Sequence, residues 1–216
     1  MAGLLGNKRY DRSRLLKRAA AARKKRKHKK AISLYRQVLA AEPRSTDLHQ
    51  KIAPLLARTG QKADALSSYR IAAEALLAGG FKERAIGLLR AAAGELPREV
   101  ELWLGVAELE ASRGRKADAM QALLQGRRNF RSSRWRPQEI QLLTLARKLD
   151  PTQFRVSYDL ACLLGRSGDR SQAVRLLEFV GRQHPRHRLR VRARQLWLDP
   201  SLGGVSRLAR ALVLPG

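Results

Sequence analysis

Arg23-Lys24-Lys25-Arg26-Lys27-His28-Lys29-Lys30 holds the densest charge in the chain, seven cations with no acid and no Phe, Tyr or Trp. Cations at this spacing neutralise phosphates or carboxylates. Without Phe, Tyr or Trp among them, base stacking is unsupported. The run equally suits a solubilising surface at an exposed turn, and in a eukaryote it passes for a nuclear localisation signal. A second group, Arg127, Arg128, Arg131, Arg134 and Arg136, falls within ten residues that hold no acid. The candidate polyanion-binding residues are therefore Arg23, Lys24, Lys25, Arg26, Lys27, Lys29 and Lys30, together with Arg127, Arg128 and Arg131.

Other reactive side chains compose no catalytic centre. His28, His49, His184 and His187 have no metal spacing with carboxylates, and His184-Pro185-Arg186-His187 sits in an arginine field that repels a cation. The single cysteine, Cys162, lies beside Ala161 at a small-residue helix position and reads as a packed or groove thiol. It excludes an internal disulfide framework and any cysteine-built zinc site. Glu101 and Glu108 share a helix face at i, i+7 but lack a cleft and a substrate handle. There is no Gly-rich phosphate loop, no HExxH and no GxSxG. The expectation is a non-enzymatic protein with no cofactor and no metal.

The elements that position these residues follow from composition and repetition. The chain has 216 residues, 44% hydrophobic and only 5% aromatic, with Lys+Arg 45 against Asp+Glu 18 and a net charge of +27. Ala and Leu fill the apolar quota, which favours packed helices over sheets. The charge gathers at the two ends: thirteen Lys and Arg oppose Asp11 alone in residues 1–30, and eight Arg oppose Asp199 alone in 181–216. Such asymmetry points to an acidic partner. No apolar run reaches the roughly 18 residues of a spanning helix, and none near the N-terminus has secretory form. A cytoplasmic protein is expected.

One spaced pattern recurs without gaps: Ala, six residues, Gly, four residues, Ala, three residues, Tyr or Leu. It reads Ala53-Gly60-Ala65-Tyr69, Ala73-Gly80-Ala85-Leu89, Ala107-Gly114-Ala119-Leu123 and Ala161-Gly168-Ala173-Leu177. A fifth copy, Ala19-Arg26-Ala31-Tyr35, lacks only the glycine. The pattern predicts helical hairpins, with small residues at the close crossing and a glycine of positive φ in the turn. Pro43, Pro97 and Pro185 close second helices. Each hairpin leaves an apolar face open and must stack on a neighbour.

These residues resemble the tetratricopeptide repeat, a helix–turn–helix family with a 34-residue period. The best-matched unit runs from Trp103 through Ala107, Gly114, Ala119 and Leu123. Shifts of 34 recur, as from Ala31 to Ala65 and from Tyr35 to Tyr69. Others are 20, so that 54 is the period through the middle: Pro43, Pro97 and Pro151 share it, as do Gly60, Gly114 and Gly168. The predicted unit is therefore a hairpin plus one extra helix. Trp135 stands 54 residues after Phe81 and reads as a packing residue. Helices are predicted near 9–25, 29–41, 46–58, 62–78, 82–95, 99–112, 116–129, 137–149, 153–166, 170–182, 187–198 and 202–213. The fold class is an all-α, right-handed helical-repeat solenoid. It comprises a basic segment over 1–30, the array over 31–186 and basic capping helices over 187–216.

The resemblance implies a concave groove that holds a peptide or a partner helix. Its lining would include Gln50, Glu101, Leu104, Glu108, Arg155, Tyr158, Cys162 and Arg166. The carboxylate clamp of the chaperone-adaptor subclass is absent, since the corresponding places hold residues such as Leu16, Ala20, Lys51, Glu101 and Val106. The leading expectation is a scaffold binding another protein, with basic ends favouring an acidic one. The alternative is a nucleic-acid-associated protein that uses those ends on the same scaffold.

Overall fold

The computed structural model describes residues 11–198 together with Pro200, Val205, Ser206, Leu208 and Ala209. Apart from those last positions, the helix expected over 202–213 lies outside the described residues, as do the first ten residues of the basic segment. Eleven α-helices and two single 3-10 turns lie between Arg12 and Leu198; Val205, Ser206, Leu208 and Ala209 are also helical, and there is no strand among the described residues. Two compact units meet in sequence at Leu96 and Pro97, a boundary the sequence reading did not contain.

The first unit holds α1 (Arg12–Lys24), α2 (His28–Ala41), α3 (Thr46–Arg58), α4 (Lys62–Ala78) and α5 (Lys82–Glu95). The second holds α6 (Val100–Ser112), α7 (Lys116–Arg127), α8 (Arg136–Leu149), α9 (Phe154–Arg166), α10 (Arg170–Gln183) and α11 (Arg188–Leu198). Consecutive helices pack on each other within each unit, most extensively in the hairpins α1–α2, α3–α4, α6–α7 and α9–α10. The extra helix of each 54-residue repeat packs on both members of its hairpin: α5 on α3 and α4, α8 on α6 and α7, α11 on α9 and α10. The three-helix repeat is thus a packing unit as well as a sequence period.

The alanines of the motif are where close crossings need them. Ala19, Ala31, Ala53, Ala65, Ala85, Ala107, Ala119, Ala161 and Ala173 have no exposed surface, and Tyr35, Tyr69, Leu123 and Leu177 are buried beside them. A methyl group at these places lets two helix axes approach, and the larger side chain fills the groove that results.

The turns share one hydrogen-bonding scheme. Gly60, Gly80, Gly114 and Gly168 all have positive φ. The amide after each glycine reaches back across the helix end: Gln61 N to Leu56 O, Phe81 N to Leu76 O, Arg115 N to Glu110 O and Asp169 N to Leu164 O, at 2.8–3.0 Å. This is the glycine-terminated helix cap that satisfies orphan carbonyls. The first hairpin makes the same bond, Lys27 N to Ala22 O at 2.9 Å, with Arg26 in the glycine's place at φ 55.

A second device recurs at the start of the hairpins. Trp103 Nε1 donates to the Pro97 carbonyl at 3.0 Å, and His49 Nε2 lies 2.8 Å from the Pro43 carbonyl one period earlier. Ser157 Oγ donates to the Pro151 carbonyl at 3.5 Å one period later. The proline ends one helix, and the polar side chain six residues on ties the connection to the next. Trp103 needs room for its ring, which Gly126 supplies: a Cβ there would lie 2.5 Å from Trp103 Cγ. The residue pairs at this register are His49 with Ala72, Trp103 with Gly126 and Ser157 with Val180, so size lost on one side is regained on the other. Pro54, inside α3, was not flagged by the sequence; it removes one helical bond, to the Gln50 carbonyl.

Candidate functional site: an arginine-lined cleft

The second unit contains a cleft of about 680 Å³, a size suited to a ligand or a few peptide residues. Five stretches of chain build it. The end of α7 gives Arg127, and the following loop gives Arg131, Ser132 and Ser133. Helix α8 gives Arg136 and Glu139, α9 gives Arg155, Tyr158, Asp159, Cys162, Leu163 and Arg166, and α11 gives Arg190 and Arg194. Seven arginines therefore face two acids.

Both acids are already engaged. Arg127 Nε donates to Glu139 Oε1 at 2.7 Å and Arg127 Nη1 donates to Asp159 Oδ2 at 2.7 Å, which ties α7, α8 and α9 together. Glu139 is buried. Burial opposes the charged form of the Arg127 guanidinium, yet its bonds to Glu139 and Asp159 carry its pKa above the ordinary value. Arg127, expected from sequence as a polyanion contact, has both of these carboxylates bonded to its guanidinium.

Three of the remaining guanidinium groups are held without being neutralised. Arg136 Nη1 donates to the Arg166 carbonyl at the end of α9, 2.8 Å away. Arg190 lies over the Tyr158 ring at 4.6 Å, and that ring stacks on Phe154 at 5.3 Å. Arg194 lies over Trp197 at 4.3 Å, and its buried Nε has no hydrogen-bond partner. Rings and carbonyls orient these side chains while leaving their charge available. Planar guanidinium groups arranged in this way suit carboxylates and phosphates, which accept two parallel N–H bonds.

Of the groove residues expected from sequence, Arg155, Tyr158, Cys162 and Arg166 come together here, joined by Arg131 from the polyanion set. Glu101, Leu104 and Glu108 lie on α6 and are not part of the cleft. Gln50 lines a separate cleft in the first unit, with Arg23, Lys24 and Arg26. Arg128 lines a different cleft from Arg131, one of about 1040 Å³, with Lys116, Met120 and Leu149. The cluster from Arg127 to Arg136 is therefore not one patch. Lys25, Lys27, Lys29 and Lys30 are exposed. Trp135 meets buried Phe130 edge-on at 6.1 Å, a packing role.

Sequence reasoning missed Arg136, Glu139, Asp159, Arg190 and Arg194 as members of the cleft. The alternating arginines Arg188, Arg190, Arg192 and Arg194 were the available signal, since i, i+4 spacing puts Arg190 and Arg194 on one helix face. Among the described residues no three His, Cys, Asp or Glu side chains gather at a possible metal site. No described helix is long and apolar enough to cross a membrane.

Residues 8–78 match the bacterial transcriptional activator domain, and residues 72–133 match the tetratricopeptide repeat. No curated protein matches the chain. Similar solved structures include a MamA protein at 17% identity, covering 81% of this chain and 92% of that one, with a TM-score of 0.29. Another is YrrB, described as a TPR protein with an unusual peptide-binding site, at 12% identity, 86% and 93% coverage and a TM-score of 0.30. A thermophilic TPR protein of Thermus thermophilus is 19% identical over 94% of this chain and 99% of that one, with a TM-score of 0.27. Likeness at that level adds nothing to the family match. With the match over 72–133, the four-fold hairpin motif and its glycine-terminated turns make the chain similar to the tetratricopeptide repeat family.

Proposed function

We propose that the protein is a non-enzymatic scaffold whose C-terminal unit captures an acidic segment of a partner protein in the arginine-lined cleft. One observation carries this reading: seven arginines face two acids, and both acids are spent on Arg127. A cleft that holds several oriented, unneutralised guanidinium groups is stabilised by an incoming anion. Tyr158 favours a peptide over a nucleic acid, because Arg190 already covers a face of its ring and limits base stacking. The peptide-binding description of YrrB agrees with this reading.

A nucleic-acid-associated role has two supports: the match of residues 8–78 to the bacterial transcriptional activator domain, and the exposed cations of the first turn. One titration separates the two. Arg155 and Arg166 are exposed, so reversing them in the Arg155→Glu, Arg166→Glu double variant leaves the fold intact. Binding of a labelled oligoglutamate should weaken at least tenfold, measured by fluorescence anisotropy at fixed salt. A labelled DNA duplex that binds wild type more tightly than the peptide, with the same loss in the variant, overturns the protein-partner reading.

A further inference from the structure

The first unit contains a basic cleft of about 850 Å³, formed by the α1–α2 turn and α3. Its residues correspond to those of the arginine cleft under a shift of 108 residues, two repeat periods. Arg23 corresponds to Arg131, His28 to Arg136 and Asp47 to Arg155, while Gln50, Pro54 and Arg58 correspond to Tyr158, Cys162 and Arg166. The remaining members follow the same shift, except Arg26. The two units thus open the same face of the repeat. The intermediate register, by sequence, has Leu77, Glu101 and Glu108 at such places, with Lys82 its single cation. Positive charge at this face is a property of the two ends of the array.

Arg26 is the exception that identifies the site. It occupies the turn position that glycine takes in the other four hairpins, and it is the only non-glycine residue of positive φ among the described residues. An L side chain is strained in that conformation, so glycine there would stabilise the turn. Folding gives no reason for an arginine; the cleft does, because Arg26 lines it beside Arg23 and Lys24. His28 Nδ1, in the same lining, is buried without a hydrogen-bond partner. Of the cations in α3, Lys51 is paired with Asp47 at 2.6 Å and Arg58 lies 3.4 Å from Glu95, which leaves the turn to supply the charge.

We infer that this cleft is a second binding site, for an acidic peptide segment that carries an apolar side chain, with Arg26 as a contact residue. The lining includes Pro54 and Leu55 but no Phe, Tyr or Trp. An apolar side chain between carboxylates has a place against Pro54. A phosphodiester backbone does not, and its bases find no Phe, Tyr or Trp to stack on, only the His28 imidazole. The inference rests on the proposed acidic-segment reading for the ligand class, and on Arg26 for the site.

The test uses the full chain carrying Arg155→Glu and Arg166→Glu, in which the C-terminal cleft is weakened at least tenfold for anions. The probe is a labelled decapeptide of glutamates with one central leucine. Binding that remains in this background should weaken at least fivefold on adding Arg26→Gly, while the melting midpoint rises by about 2 °C. Replacing the probe's leucine by alanine should weaken it as well. Unchanged affinity with Arg26→Gly overturns the site, and a lowered midpoint overturns the strain argument. A single-stranded oligonucleotide of equal charge that binds as tightly, with no effect of the leucine, makes the cleft a phosphate-backbone surface and overturns the peptide class. Failure of the proposed function reads out separately, as equal oligoglutamate binding by wild type and the double reversal.

Discussion

Replacing Gly126 by alanine should destabilise the protein by about 1–3 kcal/mol, seen as a lower midpoint in denaturant melts. By intrinsic propensity the change is favourable, since alanine in a helix interior is better than glycine by roughly 0.8–1 kcal/mol. The sign is decided by Trp103. The new Cβ would stand 2.5 Å from Trp103 Cγ and 2.9 Å from Trp103 Cβ, atoms that cannot swing away as a side-chain tip can. Trp103 is buried and held to the Pro97 carbonyl, so helix α7 has to move off α6. The register pairs say what relieves it. Where the protein has His49, the residue at Gly126's position is Ala72. Adding Trp103→His to Gly126→Ala should therefore cost less than the two single changes summed, by about 1 kcal/mol or more, as a double-mutant cycle measures for residues in contact. Additive costs would mean that the pair does not share a crossing.

Removing Arg127 should cost about 3 kcal/mol. Arg127→Met leaves the buried Glu139 carboxylate and the Asp159 carboxylate without their cation, and an uncompensated buried charge costs about 3–5 kcal/mol in comparable proteins. The lower end applies here, because the Asp159 side chain retains 25% exposure. The loss belongs to the stranded acid more than to the pair itself. Arg127→Met combined with Glu139→Gln should then recover a large part of the stability, read from chemical denaturation. A double variant no better than Arg127→Met would assign the effect to lost packing of the arginine stem.

The sequence made the hairpins legible because their signal is local and repeated. A close helix crossing accepts only small residues, and its turn accepts glycine, so Ala53, Gly60 and Ala65 mark both helices and the bend between them. Helices α3, α4 and α5 fall on the predicted residues, and the others differ by one to three positions at an end. Arg26 was visible as a missing glycine, but its positive φ was not, since the bond from Lys27 to Ala22 that fixes it is seen only in three dimensions. The cleft was half legible. Arg155, Tyr158, Cys162 and Arg166 follow from helical spacing on α9. Arg190 and Arg194 approach them by the fold of α11, and no short-range pattern reveals that. The partners of Arg127 were hidden for the same reason. Among neighbouring cations it looks free, and only folding brings Glu139 and Asp159 to it from 12 and 32 residues away.

Cys162 allows the central claim, that an acidic segment occupies the arginine cleft, to be tested at the site itself. It is the only cysteine in the sequence, it is partly exposed, and it lines the cleft between Tyr158 and Arg166. The measurement is its rate of modification by a neutral thiol reagent, with and without saturating oligoglutamate. The peptide should slow the reaction severalfold in wild type, and a saturating DNA duplex should protect it less. An unchanged rate while anisotropy shows the peptide bound would put the acidic segment elsewhere on the molecule and contradict the assignment of this cleft.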